Sequence, residues 1–385
     1  MFVKASRITA MAVALVVATV GFVPAALACT SLLYTDDKNR HYAGRTMELP
    51  MELPYKVSYF PAGTSFGSEA DKRHVLDFTG RHSFVAVTVP DPVTHDVKVV
   101  EGVNDHGLTF SVLAFADTEG PKSMVDNTRS ALAAIDLGAW ALSKYSTVAE
   151  VKKALEKQPV KVTSLLPAGL MKTPFHYTLH DATGQSIVIE YYGGQQNVID
   201  NPLGVMTNGP EFSWHMTNMN NYTHLTNVDH SKLEIGGVRF DQPDSGIATA
   251  ALPASNTSVG RFVRAVYYSQ FAEKVKDPAA AITTLSRVMN NFDRPRGITT
   301  DNRFRDQIAN ITAPGVTHDR VYTSEYTSWT SLIDLQKRQL HLRTYDSINF
   351  IQIDLTELAD VGEVRHVELK EISHGPLEAT SAFKH

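Results

Sequence analysis

The sequence predicts an α+β domain in which helices pack outside antiparallel sheets. Three observations carry this. The predicted elements run strands, helices, strands, helices, strands along the chain. Neighbouring strands are joined by short polar turns, which suit antiparallel pairing and not βαβ crossovers. No repeat, low-complexity tract, Gly/Ser linker or composition break divides the 385 residues. Residues 29–385 are therefore expected to form one domain behind a targeting segment.

Thr30–Thr35 and His41–Met47 flank the polar turn Asp36-Asp37-Lys38-Asn39 and read as a hairpin. Further strands are expected at Lys56–Phe60, Phe84–Val89, Val97–Val103 and Thr109–Phe115. Ser130–Leu142 is rich in Ala and Leu and reads as a helix. Thr147-Val148-Ala149-Glu150 is a capping box opening a second helix that runs to about Leu155. Strands resume at His176–His180 and Ser186–Tyr192 across the turn Asp181-Ala182-Thr183-Gly184. Phe212–Leu225, Val259–Val275 and Ala279–Asn290 are expected to be helical. The chain closes on strands at Val321–Ser324, Thr327–Asp334, Gln339–Tyr345 and Ile348–Ile353, and its last dozen polar residues are expected to be loose.

Composition removes several function classes. With 43% hydrophobic, 20% charged and 9% aromatic residues, the chain is neither disordered nor collagen-like. No apolar run of membrane-spanning length occurs after residue 28, which excludes a polytopic membrane protein. The net charge is −5, and the first 28 residues hold Lys4 and Arg7 but no acid, so the remainder stands at −7. That balance gives no generic attraction to nucleic acid or to anionic membranes.

Residues 1–28 read as an export signal. Lys4 and Arg7 form the positive region, Ala10–Val20 the apolar core, Gly21 and Pro24 the break, and Ala26-Leu27-Ala28 the small-x-small cleavage site. The mature protein is thus expected in the periplasm or outside the cell. Cleavage after Ala28 leaves Cys29, the sole cysteine, as the first residue. One cysteine forms no disulfide within a chain. Three fates stand open for it: a buried packing residue, an acylated lipoprotein anchor, or an amino-terminal nucleophile. The lipoprotein pattern is imperfect, because Leu27 stands two residues before the cysteine instead of three.

Other chemistries find little footing. Gly63-Thr64-Ser65-Phe66-Gly67 matches the nucleophile-elbow pattern, but Pro61 precedes it and a polar run through His74 follows, so a loop is expected. Neither a P-loop nor a dinucleotide fingerprint occurs. No close metal-ligand spacing links the fifteen histidines, so no metal and no cofactor are expected.

A terminal cysteine carries a thiol and an α-amine together. The amine, with a reference pKa of about 7.7–8.0, accepts a proton near neutral pH and serves as base for its own side chain. Such a centre needs a cation near sulfur, a carboxylate near the amine and donors for an oxyanion. Arg45 and Glu48, on the strand paired with that of Cys29, are candidates.

Cys29-Thr30-Ser31 followed by Gly44-Arg45-Thr46-Met47-Glu48 resembles the opening of the choloylglycine hydrolase and penicillin V acylase family. The likeness continues in order. Glu101-Gly102-Val103-Asn104-Asp105-His106-Gly107-Leu108 is similar to the family's D-G-x-N-E-x-G-L turn. His180-Asp181-Ala182-Thr183-Gly184 with Ile187-Val188-Ile189-Glu190 is similar to its central hairpin. Val205–Pro210 with Phe212 and Trp214-His215 resembles the T-N-x-P motif, and Gly260–Ala265 the S-R-F-x-R segment. Thr327-Ser328-Trp329-Thr330 fits a late strand.

The resemblance implies a four-layer αββα amino-terminal-nucleophile hydrolase of linear amides, often tetrameric and free of cofactor. It implies Cys29 as nucleophile, Arg45 beside the sulfur, Asn208 as oxyanion donor and Arg261 completing the charged cluster. Glu48 stands where the family usually has Asp. Ala114 stands where it often has Asn or Tyr, so a second oxyanion donor there is expected to be a backbone N–H. Substrates implied are a conjugated bile salt, penicillin V or an acyl homoserine lactone. Met47, Leu49, Met51, Leu53 and Tyr55 are candidates for the acyl-pocket wall, or for ordinary packing.

Overall fold

A computed structural model describes residues 28–70, 73–91, 96–121, 130–165, 171–172, 174–300, 324–373 and 380–384. The proposed export signal lies outside them except for Ala28. The described chain builds two large antiparallel sheets. The first runs edge to edge through Val205–Met206, Cys29–Thr35 (β1), His41–Leu49 (β2), Tyr326–Asp334, Gln339–Thr344 and Ile351–Asp354. The second runs Gln195–Asp200, Ser186–Tyr192, Phe175–His180, Thr109–Ala114, Val97–Asn104, Phe84–Pro90, Lys56–Phe60 and Arg365–Glu368.

Helices cover the outer faces. Leu137–Lys144 (α1) packs on the second sheet beside Val148–Leu155 (α2), burying Trp140, Leu142, Val151 and Leu155 against Phe110, Leu179 and Ile189. After the short Phe212–Asn218 helix (α3), Ser258–Phe271 (α4) packs on β1, and Pro278–Met289 (α5) packs on β2 and Tyr326–Asp334. Between the sheets, Val57, Val85, Val103 and Leu113 meet the inward side chains of the first sheet. The result is the expected αββα sandwich.

Sequence and structure agree where alternation or capping is strong. Thr147 caps α2 by accepting from the Glu150 N–H at 3.2 Å, and the Glu150 carboxylate accepts from the Ser146 N–H at 2.8 Å. Asp277 caps α5 ahead of Pro278.

Other elements differ. Ser130–Leu142 is not one helix: Leu132–Ala133 is a strand, Ala134–Asp136 a 3₁₀ turn, and only then does α1 begin. Ser68 Oγ accepts from the Ala133 N–H and donates to Asp136, which pins this stretch before helix can start. Phe212–Leu225 is helical only to Asn218, then continues as a 3₁₀ turn to Tyr222; Asn218, Asn220 and Asn221 around this break are poor helix formers. The helix expected to run to Val275 stops at Phe271. The loop expected around Ser65 is instead a hairpin of Ser65–Ala70 with Arg73–Thr79. Its apolar contribution is Phe66 stacked on the buried Phe78 across the pair, with Phe60 tilted against Phe66. Residues 321–323 of the expected Val321–Ser324 strand lie outside the described residues, and Ser324 precedes the strand that starts at Tyr326. Phe383, in the tail expected to be loose, is fully buried. No helix among the described residues is long and apolar enough to cross a membrane.

Candidate active site

The centre forms where β1 begins. Cys29 pairs with Met47 and Ser31 with Arg45 across the β1–β2 ladder, so these four share the face toward the second sheet. Residues of the other parity on β2 face the helices: at Gly44 any Cβ would strike Met289 and Leu285 of α5. Arg45 therefore reaches the sulfur from inside the sandwich, while Glu48 and Thr30 look toward the α4–α5 layer.

Cys29 is 2% exposed. Its Sγ lies 3.8 Å from Arg45 Nη2 and 3.8 Å from Met47 Sδ. Burial pushes the thiol pKa up; Arg45 pulls it down, Glu48 pushes it up, and Arg261 pulls it down. Burial dominates, so the resting group is a thiol. Among the described residues no imidazole or carboxylate hydrogen-bonds the sulfur.

The Cys29 nitrogen has a better acceptor. Its N–H donates to Asn208 Oδ1 at 2.8 Å. Arg261 Nη2 donates to the same oxygen at 2.6 Å, and Arg261 Nη1 donates to Thr30 Oγ1 at 2.9 Å and to the Cys29 carbonyl. Asn208 Nδ2 donates to the Ala114 carbonyl at 2.9 Å, which occupies one of its two hydrogens and leaves the other. The neighbouring Phe115 N–H is taken by the Pro174 carbonyl.

Asn208 is held from several sides. Its N–H donates to Ser258 Oγ at 2.9 Å, and its carbonyl accepts from His215 Nε2 at 2.8 Å. His176 Nε2 holds the preceding Thr207 carbonyl, while His176 Nδ1 meets Glu190 at 3.0 Å. Glu190 also accepts from the Phe212 N–H. The Gly209–Pro210 bond that follows is cis. His176, Glu190, His215 and Ser258 were not singled out for this position from sequence, because their link to Asn208 is purely tertiary.

Glu48 is fully buried. Its backbone N–H donates to the Ala28 carbonyl at 3.0 Å, Thr327 Oγ1 donates to Oε1 at 3.3 Å, and Oε2 has no hydrogen-bond partner among the described residues. Burial pushes its pKa up to about 7 against the pull of Arg261. A second buried carboxylate is Glu101, which the sequence marks as the start of a family-like turn but gives no role beside Cys29. It sits 3.5 Å from Arg45 Nε, and burial pushes it up to about 7 against the pull of Arg45. The Arg45 guanidinium also donates to the Val112 carbonyl and lies 4.8 Å from the Trp329 ring. An acid flanked by Val99, Val100 and Val103 was the available signal for Glu101.

These carboxyls have a testable consequence. A Glu with a native pKa near 7 and an unfolded value near 4.5 binds more protons when folded across that window. Its contribution to stability therefore falls as pH rises from about 4.5 to 7 and is flat above. In thermal unfolding of the full-length chain, wild type is expected to lose roughly 2–3 kcal/mol relative to Glu48→Gln across that range. Buried histidines act in the opposite sense, so the comparison with Glu48→Gln in the same buffer isolates the carboxyl.

Of the acyl-wall candidates, Met47, Leu49 and Tyr55 are buried in the core. Leu53 and Tyr55 also line a cavity with Trp329, Tyr326, Tyr345 and Arg296. Trp329 is thus a wall shared between that cavity and Arg45. Ser65 is far from being an elbow: it is exposed at the start of its strand, with only Thr79 Oγ1 at 3.4 Å.

Known proteins share this architecture. A structure of a conjugated bile acid hydrolase variant from Clostridium perfringens superposes with a TM-score of 0.74 at 22% identity, covering 88% of this chain and 97% of that one. Penicillin V acylase from Agrobacterium tumefaciens gives 0.67 at 25% identity, covering 89% and 92%. By sequence, the chain is 24% identical to a bile salt hydrolase/transferase of Clostridium perfringens over 88% of its own length and 95% of the relative's. It is 25% identical to a penicillin V acylase of Pectobacterium atrosepticum over 92% and 88%. Residues 29–363 match the family model described as linear amide C–N hydrolases, choloylglycine hydrolase family. With that match spanning nearly all of the described chain, the protein belongs to the choloylglycine hydrolase family and is an amidohydrolase acting on linear amides.

Proposed function

We propose that the protein is an exported amidase whose mature first residue, Cys29, attacks a linear amide with its own α-amine as base. One observation carries this: the sulfur is buried among groups that cannot take its proton, while the nitrogen of the same residue is held by Asn208. The thiol proton passes to the α-amine, directly or through water, and sulfur attacks the amide carbonyl. The free hydrogen of Asn208 Nδ2 meets the oxyanion. The tetrahedral intermediate breaks its C–N bond, the leaving amine takes the proton from the α-ammonium, and a thioester remains for water to hydrolyse. Arg45 favours the thiolate, and Arg261 fixes Asn208. Glu48, whose backbone N–H meets the Ala28 carbonyl, takes the place of the usual Asp opposite the new ammonium.

Burial of Cys29 supports this over a lipoprotein anchor, since an acyl chain on that sulfur must displace the packing of two sheets. The substrate we propose is a conjugated bile salt or a penicillin V-like amide; an acyl homoserine lactone is the alternative. The deciding experiment compares glycocholate, taurocholate, phenoxyacetyl penicillin and long-chain acyl homoserine lactones, with mass spectrometry of the purified chain. A free Cys29 terminus and turnover of one of these amides are expected. A working enzyme still carrying Ala28, or an acylated Cys29, overturns the proposal.

A tetramer belongs to the same proposal. In the exposed hairpin of Lys232–Ile235 with Val238–Asp241, Leu233 pairs with Phe240 and Ile235 with Val238. All four lie on one face and are more than half exposed, a surface suited to a second copy of the chain. Light scattering of the purified enzyme tests it.

A further inference from the structure

At one end of the second sheet, against the connection between α1 and α2, three potential metal ligands converge. His82 precedes the Phe84–Pro90 strand. Asp105 and His106 lie in the turn between Val97–Asn104 and Thr109–Ala114. His82 Nδ1 is 3.1 Å from Asp105 Oδ1, and His106 Nδ1 is 2.7 Å from the same oxygen. The two rings stand edge to face at 4.4 Å. Among the described residues this is the one cluster of three such donors close enough to share an ion. Sequence spacing could not show it, since His82 joins the other two only through strand pairing.

The surrounding groups hold the donors in place. Asp105 Oδ2 accepts from the Ser83 N–H at 3.0 Å and from Ser83 Oγ at 3.2 Å, leaving Oδ1 turned toward the two rings. His82 Nε2 lies 3.2 Å from Ser146 Oγ. The turn is anchored by Asn104, whose Oδ1 accepts from the His106 and Leu108 N–H groups and whose Nδ2 donates to the Leu142 and Tyr145 carbonyls. Gly107 completes it at φ +78°, with the Leu335 carbonyl leaving no room for a Cβ.

We propose that His82, Asp105 and His106 form a binding site for a divalent transition ion of the zinc type. Zinc accepts imidazole nitrogen and carboxylate oxygen at 2.0–2.2 Å in tetrahedral geometry, which places donors roughly 3–3.5 Å apart. The two spacings to Asp105 Oδ1, 3.1 and 2.7 Å, are close to this, and all three donor atoms lie within 4.8 Å of one another. A neutral imidazole carries one ring proton. Binding at Nδ1 puts that proton on Nε2, where Ser146 Oγ stands ready to accept it from His82. Asp105 supplies one negative charge, and water takes the fourth position on the exposed side of His106. The ion would clip the start of one strand to the turn between two others and, through Ser146, to the entry of α2. This site is separate from Cys29 and independent of its chemistry.

Equilibrium dialysis of the untagged chain against zinc, read by elemental analysis, tests it. One zinc per chain is expected, with an upward shift in melting temperature. His106→Ala removes an exposed side chain and leaves the fold intact; it should weaken zinc binding about 10-fold or more. Ser146→Ala should weaken it less, and Cys29→Ala should leave it unchanged. No saturable binding, binding undiminished in His106→Ala, or binding lost in Cys29→Ala would each overturn the assignment.

Discussion

Cys29→Ala is expected to yield a folded protein with no measurable amide hydrolysis. The substitution removes one buried sulfur whose contacts are the Met47 thioether and the Arg45 guanidinium, so the loss of stability should be small. The Cys29 nitrogen, Asn208 and Arg261 stay as they are. What disappears is the atom that forms the thioester. Loss of a nucleophile typically costs on the order of 10⁴–10⁶ in turnover even when every other group remains. Cys29→Ser should keep a trace, because a hydroxyl at the same position is a much weaker nucleophile at neutral pH. Product release under substrate saturation measures both, and quenched wild-type enzyme should carry an acyl group on Cys29 by mass spectrometry. Hydrolysis at the wild-type rate by Cys29→Ala would remove the sulfur from the mechanism altogether.

Asn208→Ala should have the second-largest effect, on rate and stability together. Removing one oxyanion donor typically lowers turnover by about 10²–10³. The same side chain accepts from the Cys29 nitrogen and from Arg261 and donates to Ala114. Truncation strands buried donors, at about 1–3 kcal/mol for each unsatisfied group. A lowered melting temperature is therefore expected alongside a reduced kcat. Asn208→Asp separates the two. It keeps an acceptor oxygen for Arg261 and the terminal nitrogen but has no N–H for the oxyanion or for the Ala114 carbonyl, so it should recover part of the stability and leave kcat low. Recovery of kcat in Asn208→Asp would assign the oxyanion contact elsewhere.

The strands around Cys29 are buried on both faces and were legible from the polar turn Asp36-Asp37-Lys38-Asn39 between them, and capped helices announced themselves through Thr147 and Asp277. The strand pairs that went unseen are those whose inward residues are few. Ser65–Ala70 offers Phe66 and a buried Ser68 within a polar run. Gln195–Asp200 reads Gln-Gln-Asn-Val-Ile-Asp and owes its form to the ladder with Ser186–Tyr192. In the site, the residues named from sequence do converge: Arg45 on sulfur, Asn208 and Arg261 on the nitrogen and carbonyl of Cys29. The pairing of Glu101 with Arg45 was not legible because Arg45 lies 56 positions away in the chain, on the facing sheet. The histidines that orient Asn208 were missed for the same reason.

The central seam of the first sheet, where β2 pairs with Tyr326–Asp334, governs how the enzyme comes into being. Residues Gly44 and Leu332 meet there although 288 of the 385 positions separate them. The contacts of Asn208 and Arg261 with Cys29 span 179 and 232 positions. Such high contact order means large loops must close before any reward is collected, which slows folding toward the millisecond-to-second range. A nascent or truncated chain lacking its last sixty residues would hold every candidate catalytic side chain and still be inert, because the strand that locks β2 in place would be missing.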